Sequence, residues 1–257
     1  MKRWLFLVMF ILAPIAAAQK NPPAPGMTRI LVPTVTRSTP GAFGSIWVTE
    51  LAVVNSNSAK TFLEYPRVCP ADCSFRSDIE SGAYRDITDV AKTQSAAPGI
   101  FLYVPTAAAP LVEFSLRVRN LAVQSRTWGA EVPVVRESDA FTRPFGLLNV
   151  PIDERFRHLL RVYDFTGETG VVRVEYLSIP AGTVLFQTNL ALFGETVKGP
   201  SGLAYPAYGA LTQPREIASV ERVRMRITPL DPSQRLWAFV SFTNNESQEV
   251  TNISPQQ

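Results

Sequence analysis

Ser45–Ser58 reads SIWVTELAVVNSNS, and this stretch decides the fold. Trp47, Thr49, Leu51 and Val53 alternate with Ile46, Val48, Glu50, Ala52 and Val54, and a polar Asn-Ser-Asn-Ser turn follows. A period of two marks an extended strand that buries alternate side chains. A weaker copy returns 109 residues later as Arg155–Thr166, RFRHLLRVYDFT. At that spacing Trp47, Leu51, Val53 and Asn55 meet Phe156, Leu160, Val162 and Asp164, the inward set. The outward set changes character: Arg155, Arg157, Leu159, Arg161 and Tyr163 replace a mostly apolar row. The apolar row of the first copy is therefore expected to be the covered one.

The rest of the chain extends this repeat. Phe114, Leu116 and Val118 meet Val223, Met225 and Ile227 at the same spacing, and Arg126 and Trp128 meet Arg235 and Trp237. Glu64-Tyr65 matches Glu175-Tyr176, and Gly82 matches Gly182, so extra residues of the first copy are expected between Tyr65 and Gly82. Val32-Pro33 matches Val150-Pro151, which leaves a surplus segment around STPGAFGS ahead of the Trp47 strand. A unit of this length suits a duplicated domain rather than a solenoid repeat. Short alternating runs separated by Gly, Pro, Asn and Ser point to antiparallel β-sandwiches. Helical periodicity is confined to Asp86–Lys92 and its expected counterpart Asn189–Phe193. The expected organisation is all-β: a first sandwich over 29–138, a linker over 139–148 and a second sandwich over 149–257.

The N-terminus carries an export signal. Met1-Lys2-Arg3 is basic, Trp4–Ile15 is apolar, and Ala16-Ala17-Ala18 supplies the small residues of a cleavage site after Ala18. The apolar run is shorter than the roughly 20 residues of a spanning helix. The expectation is a cleaved signal peptide over 1–18, a flexible segment over 19–28, and a periplasmic or extracellular protein that does not span the membrane. The formal charge of +3 includes Lys2 and Arg3, so the exported chain is close to neutral and does not resemble a nucleic-acid binder. Cys69 and Cys73, in CPADC, are expected to form a local disulfide in an oxidising compartment.

The W-x-T-x-L-x-V-x-N strand, the segment Ser125–Trp128 (SRTW) and the closing Leu236–Asn245 (LWAFVSFTNN) resemble a group of secreted bacterial proteins. Those proteins carry tandem β-sandwich repeats, and many end in a W-A-x-x-S-x-x-D-N-like strand. The resemblance covers nearly the whole chain beyond the signal and implies two tandem Ig-like sandwiches. It carries no activity with it.

Candidate chemistry is sparse. His158 is the only histidine and sits at the position of Thr49, on an inward face. No G-x-S-x-G elbow and no Gly-rich phosphate loop is present. Asp86, Asp89, Asp153 and Glu154 lie in turns, where carboxylates cap or face water. Neither a cofactor nor a metal is expected. Arginine placement is the feature beyond fold: Arg155, Arg157 and Arg161 on one strand, Arg222, Arg224 and Arg226 on another, Arg173 on a further one, and Arg117 with Arg119 in the first copy. The planar guanidinium fork matches carboxylate, sulfate and phosphate. Glu113, Glu175 and Glu221 stand ready as cross-strand partners for the same arginines. Tyr205 and Tyr208, in LAYPAYGAL, are candidate loop contacts, whereas Trp47, Trp128 and Trp237 read as core. The expected role is a non-enzymatic binding or structural module with a polysaccharide, such as an anionic glycan, or an envelope protein as partner. A two-domain chaperone of the pilus-assembly type and a carbohydrate-active enzyme are the alternatives.

Overall fold

The computed structural model describes residues 22–36, 38–67, 73–88, 98–123, 128–194 and 205–255. The expected signal peptide, the Cys69–Cys73 disulfide and most of the helical turn over Asp86–Lys92, Asp89 included, lie outside the described residues. The fold is all-β, with four antiparallel sheets.

The first half contributes β1 (Met27–Val32), β2 (Thr39–Pro40), β3 (Ile46–Asn55), β4 (Thr61–Arg67) and β5 (Cys73–Ile79). It continues with β6 (Tyr84–Asp86), β7 (Ile100–Pro105), β8 (Val112–Asn120), β9 (Ala130–Glu131) and β10 (Val135–Arg136). One sheet runs β10-β1-β7-β4-β5; the other runs β2-β3-β8-β9, with β6 also paired to β3. The second half contributes β11 (Phe145–Pro151), β12 (Phe156–Asp164), β13 (Gly170–Leu177) and β14 (Val184–Leu192). After these come β15 (Ala207–Thr212), β16 (Arg222–Pro229), β17 (Leu236–Asn244) and β18 (Val250–Ile253). Its sheets run β11-β16-β13-β14 and β15-β12-β17-β18.

The strand orders superimpose. β1, β7, β4 and β5 correspond to β11, β16, β13 and β14, and β6, β3, β8 and β9 correspond to β15, β12, β17 and β18. The spacing between β3 and β12 is the one expected from the sequence. Beyond them the register differs from that expectation. Phe114, Leu116 and Val118 lie on β8, whose counterpart is β17, whereas Val223, Met225 and Ile227 lie on β16. The cause is a long connection over 193–206 between β14 and β15, where the first half needs only 80–83. The β4–β5 and β13–β14 connections are nearly equal, over 68–72 and 178–183, so the cysteine loop is no insertion and Gly82 and Gly182 sit in non-equivalent turns. Asn189–Leu192 belongs to β14 and is not helical. Trp128 and Trp237 are also not equivalent: Trp128 is 73% exposed ahead of β9, while Trp237 is 4% exposed on β17. The surplus segment ahead of Trp47 stands, since 33–45 separates β1 from β3 where 152–155 separates β11 from β12.

Alternation explains the cores. Leu51 and Val53 of β3 join Ile30, Val32, Phe101 and Leu116 in the first-half cluster. Leu160 and Val162 of β12 join Val172, Val174, Met225 and Val240 in the second. Asn55 and Asp164, aligned in the sequence, do the same job at the end of their strands. The Asn55 Oδ1 accepts from the Asn57 N–H at 3.1 Å and the Asp164 Oδ1 from the Thr166 N–H at 2.9 Å. Each folds the chain out of its strand by an Asx turn.

The outer side of β12 and β17 is where the halves meet. Tyr163, Phe165, Trp237 and Phe239 belong to the first-half core cluster, not to that of their own half. The Tyr163 hydroxyl donates to the Pro98 carbonyl at 2.8 Å and lies against the Pro33 carbonyl. Burial pushes its phenol far above the ordinary range, so it stays a donor. From the other side Arg29 of β1, 1% exposed, donates to the Phe165 carbonyl. Its guanidinium sits 4.9 Å from the Phe101 ring centroid and 3.6 Å from the Glu137 carboxylate. The covered outer face is thus the second copy's, the reverse of the expectation. Aromatic rings on β12 and β17 close the end of the first-half core.

Candidate functional site

Where the contact between the halves opens out, a cleft of about 570 Å³ remains. The first half supplies Thr34, Thr36, Thr39, Ala42, Trp47 and Val118. The outer side of β12 supplies Arg157, Leu159 and Arg161, with Phe239 and Ser241 of β17 beside them. Among the described residues that line it, none is an aspartate or a glutamate.

Both lining arginines are held. Arg157 is half-buried and donates to the Asn245 Oδ1 at 2.9 Å and to the Gln248 Oε1 at 2.7 Å. Desolvation pulls its guanidinium below the ordinary arginine range, although it stays cationic at any working pH. Arg161 donates to the Ser241 Oγ at 2.8 Å and lies 5.4 Å from the Phe239 ring centroid. A guanidinium has five N–H donors, so these bonds fix each fork without exhausting it. Four residues of strand separate their Cα atoms by roughly 13 Å. The arrangement can take two anionic groups on one elongated ligand, with an aromatic wall from Trp47 and Phe239 beside them.

The remaining sequence candidates scatter. Arg155 is exposed and pairs with Asp153 at 2.8 Å. Arg222, Arg224 and Arg226 face outward from β16, and Arg173 from the neighbouring β13, in the other sheet of the second half. There Arg226 grips Glu175 with two bonds of 2.6 and 2.7 Å, and Arg222 lies 3.6 Å from Glu221. The seven candidate arginines of the second half therefore fall in or beside two sheets and form two surfaces. In the first half Arg119 pairs with Glu50 and covers the Trp128 ring at 5.1 Å. Tyr208 lies in strand β15, half-buried, with its ring 5.4 Å from that of Tyr163, and Tyr205 packs on the same cluster. Both tyrosines belong to the joint between the halves.

His158 faces inward from β12, its Nε2 3.4 Å from the Tyr176 hydroxyl, and its Nδ1 makes no hydrogen bond. Burial pushes its pKa down to about 4, so the ring is neutral near pH 7. Asp86 and Asp153 cap turns, accepting from the Thr88 and Arg155 N–H groups at 2.8 and 3.0 Å. Among the described residues no group of three His, Cys, Asp or Glu side chains converges as a metal site, and no helix is long and apolar enough to cross a membrane.

Two participants escaped the sequence reading. Arg29 shows no periodic signal, because its burial comes from the opposite half. Phe43, at the mouth of the cleft, lies in the surplus segment that the repeat had exposed, and that surplus was the available clue. Compared with known proteins, the chain matches no family model, and no curated protein matches it.

Proposed function

We propose that this chain is an exported, non-enzymatic binding module made of two Ig-like sandwiches, and that the cleft between its halves receives an anionic ligand, an acidic glycan. The observation that carries this reading is the pair Arg157 and Arg161, both pinned in a cleft whose described lining holds no carboxylate. Surface arginines normally find a carboxylate, as Arg226, Arg155 and Arg119 do here. Two guanidinium forks that face a cavity without one suit a ligand that brings its own negative charge. Threonine hydroxyls from the first half and the Trp47 ring offer the mixed polar and aromatic contacts that a sugar uses. The basic and apolar N-terminal segment supports export, and the resemblance to secreted tandem-sandwich proteins supports the same setting. A glycosidase would need a pair of carboxylates across this space.

Titration calorimetry with uronic-acid and sulfated oligosaccharides at several salt concentrations tests the reading. A peptide with a free C-terminal carboxylate, the ligand that the chaperone alternative requires, serves as competitor. The expected result is saturable, salt-sensitive saccharide binding that falls about 10- to 100-fold in Arg157→Met and Arg161→Met, each charged bond being worth roughly 1.5–3 kcal/mol. Absence of binding across the panel, or affinity indifferent to both substitutions, overturns it. Preference for the peptide moves the protein to the chaperone class.

A further inference from the structure

The segment between β1 and β3 is the clearest asymmetry between the halves. The second half joins the equivalent strands through 152–155, whereas the first uses 33–45. The extra residues do not extend the core: Gly41, Ala42, Phe43 and Gly44 are all exposed. They form a tight, well-held turn at the mouth of the cleft. The Gly41 N–H donates to the Ser45 carbonyl at 2.7 Å, and the Ser45 hydroxyl to the Ala42 carbonyl at 2.7 Å. A Cβ on Gly41 would lie 2.4 Å from the Trp47 indole nitrogen, so glycine there lets the turn sit directly on the Trp47 ring.

At the tip stands Phe43, 74% exposed, with φ 56° and ψ 35°. This is the left-handed region, which glycine and asparagine enter easily and a phenylalanine enters at a cost. Gly44 beside it has φ 73°. The turn thus places a large apolar ring at a position that favours glycine, and leaves most of that ring in water. Packing does not explain the choice. Its position relative to the cleft does: the Arg157 guanidinium lies 5.1 Å from the Phe43 ring centroid, and the neighbouring Ala42 lines the cavity. Strain held at a ligand-facing turn is a recurrent mark of recognition.

We infer that Phe43 is a ligand-contacting residue that selects a pyranose ring, stacking on the apolar face of a sugar whose carboxylate Arg157 holds. This inference rests on the cleft reading above and adds to it: an anion without a ring would use the arginines alone. The two planar groups make a composite platform, one part for charge and one for C–H faces. Compact anions such as citrate gain nothing from the second part.

The experiment compares wild type, Phe43→Gly, Phe43→Trp and Arg157→Met, each titrated with trigalacturonate and with citrate and each melted without ligand. Loss of one ring contact is expected to lower trigalacturonate affinity about three- to tenfold in Phe43→Gly. Citrate affinity stays the same in that variant, and Phe43→Trp keeps or improves saccharide binding. The melting temperature of Phe43→Gly holds or rises, because glycine relieves the left-handed strain; a purely structural ring would give the opposite. The inference is overturned if Phe43→Gly leaves trigalacturonate affinity unchanged, weakens both anions equally, or melts lower without a binding change. Arg157→Met separates the two levels. If it leaves both affinities intact, or wild type binds neither anion, the cleft reading itself falls, and Phe43 with it. If it weakens both while Phe43→Gly changes neither, only the role of Phe43 is lost.

Discussion

The two outer faces of the second half began from the same kind of sequence, alternating arginines on a strand, and ended in different chemistry. On the β13–β16 face the arginines meet water and carboxylates, with Arg226 closed on Glu175. On the β12–β17 face the first half arrives instead, burying Tyr163, Trp237 and Phe239 and leaving Arg157 and Arg161 to line a cleft. An outward arginine acquires a role from what is laid against it, and the strand pattern does not encode that.

The contrast can be broken most sharply at the joint. Arg29→Met removes a fully buried cation that binds the Phe165 carbonyl and faces Glu137. Urea unfolding should show a loss of about 3 kcal/mol, since the buried Phe165 carbonyl loses its charged donor while Glu137 keeps Arg235 at 4.0 Å. A loss below about 0.5 kcal/mol would mean that the covered face is not a structural joint.

Next in size is a pH effect in the interior between the two faces. The pKa of His158 in the fold is about 4, below the ordinary 6.5, because burial disfavours the charged ring. Its contribution is therefore complete above pH 6.5 and is lost as pH falls toward 4, because the unfolded chain binds the proton first. The slope approaches about 1.4 kcal/mol per pH unit. Denaturant titrations between pH 7 and pH 4 should show this slope, and His158→Gln should flatten it; equal slopes in both proteins would place the titration elsewhere.

On the open face, Arg226→Met should cost about 1–2 kcal/mol by leaving the buried Glu175 carboxylate unpaired. Arg226 holds the Glu175 pKa below its usual value, so this stabilisation is present above about pH 4.5 and disappears as pH falls through the lowered value. The variant should lose that acid sensitivity while its ligand affinity stays unchanged. A drop in affinity would join the two faces functionally. Smallest of all, Arg222→Ala and Arg224→Ala should move stability by less than about 0.5 kcal/mol and binding by less than twofold.

Much of the architecture was legible in the strand around Trp47, because alternation reports directly which side chains face a core. Asn55 and Asp164 were legible as a pair for the same reason, and both end their strands by the same turn. The match between β8 and β16 failed because every alternating Val/Leu/Met run looks alike. A long connection over 193–206 then shifted the true counterpart, β17, out of the assumed spacing. Trp237 read as core and is buried, yet its core is that of the other half. Periodicity separates inside from outside within one sheet pair, but it carries no information about which outside becomes a second inside. The cleft escaped for this reason, and Phe43 because backbone strain leaves no trace in composition.

Closing the first-half core with rings from β12 and β17 also sets an order of events as the chain folds. Residues 22–136 emerge before Trp237 and Phe239 and lack a lid until those rings follow. A chain cut short before β17 would leave an unsealed hydrophobic opening, which marks unfinished copies for proteolysis or clumping. The arrival of β17 thereby doubles as a seal on the first-half strands, and products truncated before it should be scarce in the soluble fraction.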